Sequence, residues 1–83
     1  MKIMMRDDRV FQGTPLQIVR AMQDIAFGVD DFTVHQYVEW VAANALKFEG
    51  VELAVQGDTD EELARSLVDE MIRTGLTAQV EAR

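Results

Sequence analysis

Thr14-Pro15-Leu16-Gln17, Thr33-Val34-His35-Gln36 and Thr59-Asp60-Glu61-Glu62 share one pattern: a threonine, then glutamine or glutamate three residues later, at the head of an apolar-periodic stretch. Each reads as a capping box. The threonine hydroxyl accepts from a free N–H of the first turn, and the Gln or Glu side chain accepts from the threonine N–H. Each stretch stops near a glycine, Gly28, Gly50 or Gly75, where a left-handed residue closes a helix without a Cβ clash. The punctuation predicts three helices and leaves the rest of the chain for strands.

The first helix is expected from Pro15 to about Phe27, with Leu16, Ile18, Val19, Met22, Ile25 and Ala26 as its apolar stripe. Helix two follows the connection Gly28–Phe32, with Phe32 and Tyr37 at the positions of a hydrophobic staple around Thr33. It should bury Val34, Tyr37, Val38, Val41, Ala42 and Ala45, and close by a Schellman contact of Leu46 with Val51 across Gly50. Helix three packs Leu63, Ala64, Leu67, Val68, Met71 and Ile72, and sets Glu61, Arg65, Asp69 and Arg73 along one solvated stripe.

Outside the helices, Lys2–Arg6 and Arg9–Gln12 read as a hairpin around a two-residue turn at Asp7-Asp8, a register that sets Met5 opposite Val10 and Met4 opposite Phe11. Both hairpin faces then carry apolar side chains. Val51, Leu53 and Val55 alternate with Glu52, Ala54 and Gln56 and predict a third strand; Thr77–Ala82 predicts a fourth. The expected fold is α+β: a single domain over 1–83 in ββααβαβ order, a two-layer sandwich with a small mixed sheet and three helices mainly on one face. The segment from the third strand to the fourth has the size of a βαβ unit with a right-handed crossover.

Composition narrows function by exclusion. The 83 residues carry a net charge of −7 and no cysteine, so thiol nucleophiles, thiolate metal sites and disulfides are absent. The acidic balance opposes nucleic-acid binding, which needs clustered cations. The apolar run after Met1 is too short for a signal peptide and no segment reaches membrane-spanning length, so a cytoplasmic protein without membrane association is expected.

Catalytic candidates are weak. His35, the one histidine, stands in a helix first turn with only Asp30 and Asp31 nearby as orienting acids, and Ser66, the one serine, lies mid-helix without an elbow motif. Asp58–Glu62 begins like a calcium loop but has Leu63 where the glycine belongs and Asp69 where the bidentate glutamate belongs. No catalysis, no cofactor and no metal are expected.

Trp40 is the most informative residue. It lies about 130° from the centre of helix two's apolar stripe, beside Gln36, Ala43, Asn44 and Lys47. A large aromatic next to a small alanine, framed by polar groups, suits a surface that another surface covers. The expected function is a non-catalytic protein–protein interaction module, a homodimer whose contact draws on Trp40, Met4, Phe11, Ala43 and Lys47. Two alternatives are an acidic inhibitor or antitoxin-like partner of a basic protein, using Asp60, Glu61, Asp69 and Glu70, and a small-ligand regulatory domain with its site between sheet and helices.

Overall fold

The computed structural model describes residues 1–80. Its elements are β1 (Lys2–Met5), β2 (Val10–Gln12), α1 (Pro15–Ile25), α2 (Val34–Asn44), α3 (Asp60–Arg73) and β3 (Thr77–Gln79), with a π-helical turn at Ala45–Glu49. The fold is α+β. Helices α1 and α3 and helices α2 and α3 pack on one another, and α1 and α3 carry the sheet. All three capping boxes form, with Thr14, Thr33 and Thr59 each accepting from the N–H three residues on and receiving the reciprocal Gln or Glu contact.

Among the described residues three strands make the sheet, in the order β2-β1-β3, and both pairings are antiparallel. This corrects the expected mixed, four-stranded sheet. Residues 51–56 keep the predicted alternation, with Leu53 buried and Glu52, Ala54 and Gln56 exposed. They join no ladder. The Ala54 N–H donates to Glu70 Oε1 at 2.8 Å and the Gln56 N–H donates to Ser66 Oγ at 3.0 Å, so α3 side chains take the place of a neighbouring strand. An extended segment needs its apolar face covered and its N–H groups satisfied; a helix bearing well-placed acceptors does both. With that segment outside the sheet there is no parallel crossover among the described residues, and β3 returns antiparallel beside β1 instead. The expected continuation through Glu81 and Ala82 lies outside the described residues.

The hairpin register is also shifted by one. Ile3 pairs with Phe11 and Met4 with Val10. The loop holds three residues, Arg6-Asp7-Asp8, because Asp8 takes the left-handed conformation at φ 71°, its N–H donates to Met5 O, and the Met5 N–H donates to Arg9 O. A tight turn followed by a left-handed residue adds one position relative to a two-residue turn. The slip decides the faces: Ile3 and Phe11 turn toward the helices, while Met4 and Val10 turn away.

Helix α1 ends at Ile25, two residues earlier than the pattern implies. Gln23 explains the stop. Its buried Nε2 donates to Val29 O at 2.8 Å and Phe32 O at 2.7 Å, drawing the connection across the helix end. Val29 becomes core, Ile25 is left exposed, and Phe27 is extruded. At the end of α2 the wider turn replaces the expected Leu46 closure. The Val51 N–H donates to Ala45 O and Gly50 adopts φ 65°, leaving Leu46 in solvent. Ile3, Ile18, Val19, Val38, Leu67 and Val68 form the innermost core.

Candidate functional site

Two adjoining hollows run along one end of the molecule, between the hairpin loop and α2. The larger, of about 470 Å³, is walled by Met5, Tyr37, Trp40, Val41, Phe48 and Leu76, with Met22 and Met71 at its base. The smaller, of about 200 Å³, continues past Tyr37 to Phe11, Ile25 and Ala26. Met5, Asp7, Met22 and Tyr37 line both, so the hollows form one apolar cleft.

The sequence builds this cleft through local geometry. Tyr37 belongs to the buried stripe of α2 and is 3% exposed; Trp40, one turn on, stacks on it with ring centroids 5.8 Å apart and planes inclined by 25°. In a continuous α-helix Phe48 would stand about 80° round from Trp40. The i→i+5 turn at Ala45–Glu49 advances less per residue, which brings Phe48 back toward Trp40. Both rings line the larger hollow, Trp40 at 37% and Phe48 at 71% exposure. The Lys47 ammonium lies 5.2 Å from the centre of the Phe48 ring, a cation–π contact that braces the rim.

Across the cleft Arg6 Nη1 meets Glu49 Oε2 at 3.3 Å, tying the hairpin loop to the end of the π-turn. Polar functions are few. Among the described residues the Tyr37 hydroxyl makes no hydrogen bond to protein, and burial pushes its pKa from 10.0 up to about 12. Asn44 is the uncharged amide of the lining. Among the described residues no three His, Cys, Asp or Glu side chains converge as metal ligands would.

Of the residues singled out from sequence, Trp40 lines the larger hollow, Phe11 the smaller, and Lys47 touches Phe48. Ala43 is exposed and lines neither hollow. Met4 stands on the outer sheet face with Val10 and Ala78, separate from the cleft. Phe48, Met5 and Leu76 carry much of the apolar wall and escape sequence reading, because a π-turn, a register slip and a chain reversal bring them together.

The other candidates have local work. His35 Nε2 lies 3.0 Å from Glu39 Oε1, one turn along an exposed helix face, rather than beside Asp30 or Asp31. Ser66 Oγ accepts from the Gln56 N–H. Glu70 accepts from the Ala54 N–H and from Arg73, and Asp69 pairs with Arg65. The Arg73 hydrogen bonds and the Ala54 N–H hold the Glu70 carboxyl well below its ordinary 4.5, at about 2.

No family model, curated protein or solved structure matches this chain. Among the described residues no helix is long and apolar enough to cross a membrane.

Proposed function

We propose that this protein is a non-catalytic protein–protein interaction module that acts as a homodimer through the cleft beside Trp40. The observation that carries this reading is the cleft itself: an aromatic and thioether wall, open along its length, with Phe48 71% exposed at its rim. Trp is enriched among the residues that anchor association, and Trp40, 37% exposed and stacked on the buried Tyr37, presents rigid area at little entropic cost. The acidic-inhibitor alternative is weaker because Glu70 and Asp69 already hold Ala54, Arg73 and Arg65 within the chain.

Light scattering across protein concentration tests the proposal. A dimer is expected that Trp40→Ala dissociates while the circular dichroism spectrum stays that of the folded chain. A strict monomer at high concentration would contradict it, and so would a dimer indifferent to Trp40.

A further inference from the structure

Phe27 is 99% exposed, the most exposed large apolar side chain of the described residues, and Ile25 beside it is also mostly in solvent. The backbone that carries them is held on both sides. Ala26 packs against the core and its N–H donates to Gln23 O; beyond the turn Val29 is buried, and Gln23 Nε2 donates to the carbonyls of Val29 and Phe32. Phe27 and Gly28 are thus the tip of a fastened turn, with Gly28 at φ 83° reversing the chain. A lone exposed phenyl would call for no explanation. This one stands among unanswered carboxylates.

Asp24, Asp30 and Asp31 are all exposed, and every ion pair of the described residues is made elsewhere. Asp24 and Asp30 lie three residues either side of Phe27, so their Cα atoms are within about 11 Å of its own, close to the screening length of about 8–10 Å in moderate salt. Arg20 is the one Lys or Arg between Arg9 and Lys47. The three acids do not gather as metal ligands would, since among the described residues no such group of three exists. An apolar tip ringed by spread negative charge is complementary to an apolar socket ringed by positive charge.

We propose that the Phe27 turn is a docking knob for a basic protein, whose apolar socket takes the Phe27 ring and whose surrounding Lys or Arg side chains pair with Asp24, Asp30 and Asp31. Long-range attraction to a chain of net charge −7 steers the partner, and the desolvated ring anchors it. A second copy does not suit this surface, because a two-fold contact would set the three carboxylates against the same three. An anionic bilayer repels them for the same reason. Phe27 lines neither hollow, so the contact is separate from the cleft and does not rest on the dimer. It also uses acids other than Asp69 and Glu70, whose charges are met within the chain.

Two probes test the proposal, with Phe27→Ser and the double variant Asp30→Asn, Asp31→Asn as controls; all three side chains are exposed, so both variants should fold as wild type. The first probe is β-cyclodextrin, an apolar cavity that admits a phenyl ring, with and without ammonium groups on its rim. Calorimetry should show the ammonium form binding wild type at least about tenfold more tightly at low salt. That preference should vanish in both variants, since Phe48, the other well-exposed phenyl, has Lys47 over its ring. Equal affinity of the two forms for wild type, or a preference that survives Phe27→Ser, overturns the proposal. The second probe is a photoreactive benzoylphenylalanine in place of Phe27, irradiated in the native cell. The expected product is an adduct with another protein, joined within a stretch rich in Lys and Arg, and lost when Asp30 and Asp31 are neutralised. An adduct with a second copy or with lipid, an adduct indifferent to the two aspartates, or no adduct at all overturns it.

Discussion

Glu70, Tyr37 and Gln23 each stand in surroundings that leave a measurable trace. Glu70 is charged in the folded state down to about pH 2, against an ordinary 4.5. A carboxylate with a depressed folded pKa contributes stability that is complete above its unfolded pKa and is lost as pH falls toward the folded one. Wild type should thus lose stability between about pH 4.5 and pH 2 more steeply than Glu70→Gln, as compared by urea unfolding at several pH values; parallel curves would show that Glu70 holds nothing. Tyr37 behaves in the opposite sense. Its phenol ionises at about 12 rather than 10.0 because burial disfavours the anion. Its contribution is complete below pH 10 and falls as pH rises toward 12. As the one tyrosine, it can be followed by phenolate absorbance, and a native midpoint near 10 would mean that the hydroxyl is well solvated. Gln23→Leu should cost about 1–3 kcal/mol, because Phe32 O loses its Gln23 donor while Val29 O keeps the Phe32 N–H. Hydrogen exchange should rise over residues 28–32.

The elements are joined by turns whose tolerance to substitution differs for steric reasons. Gly50 and Gly57 both take positive φ, at 65° and 154°. A Cβ on Gly50 would meet nothing within 4 Å, whereas one on Gly57 would come within 2.8 Å of Glu62 Cβ and 2.9 Å of the Glu62 and Leu63 backbone. Gly50→Ala should therefore cost only the left-handed backbone preference, about 1–2 kcal/mol. Gly57→Ala must also displace the first turn of α3, so it should melt at a clearly lower temperature than Gly50→Ala. Equal melting temperatures would show that the approach of residue 57 to α3 is slack. The same contact explains why residues 51–56 follow α3 rather than the sheet: Gly57 lets the chain pass close against the helix start, and Glu70 and Ser66 receive its N–H groups.

At the scale of the whole molecule, a chain of net charge −7 keeps a neutral apolar cleft at one end. Association through that cleft should change little between low and moderate salt, since the lining charges cancel and apolar contact is not screened. Steep weakening with added salt, measured by light scattering, would instead favour an acidic surface seeking a basic partner. The outer face of the sheet, with Met4, Val10 and Ala78, is a second apolar area that the cleft does not include.

Much of this architecture is local chemistry and therefore legible in one dimension. Capping boxes join residues three apart, so Thr14, Thr33 and Thr59 announce their helices without reference to the rest of the chain, and helical periodicity assigns nearly all of the core. The alternation of residues 51–55 likewise states which side chains are buried, though not what covers them. What remained for the tertiary structure was every choice between partners remote in sequence. An extended segment satisfies its backbone equally well against a strand or against helix side chains, and only the placement of Glu70 and Ser66 decides. A left-handed Asp8 moves the hairpin by one residue and separates Met4 from Phe11. Trp40 could be singled out from its helix face alone; the cleft around it could not, because Met5, Phe48 and Leu76 meet there only once a register, a π-turn and the return of β3 to β1 are all set. Propensity and periodicity act over a single turn of chain, whereas a cleft is a property of surfaces that folding brings together.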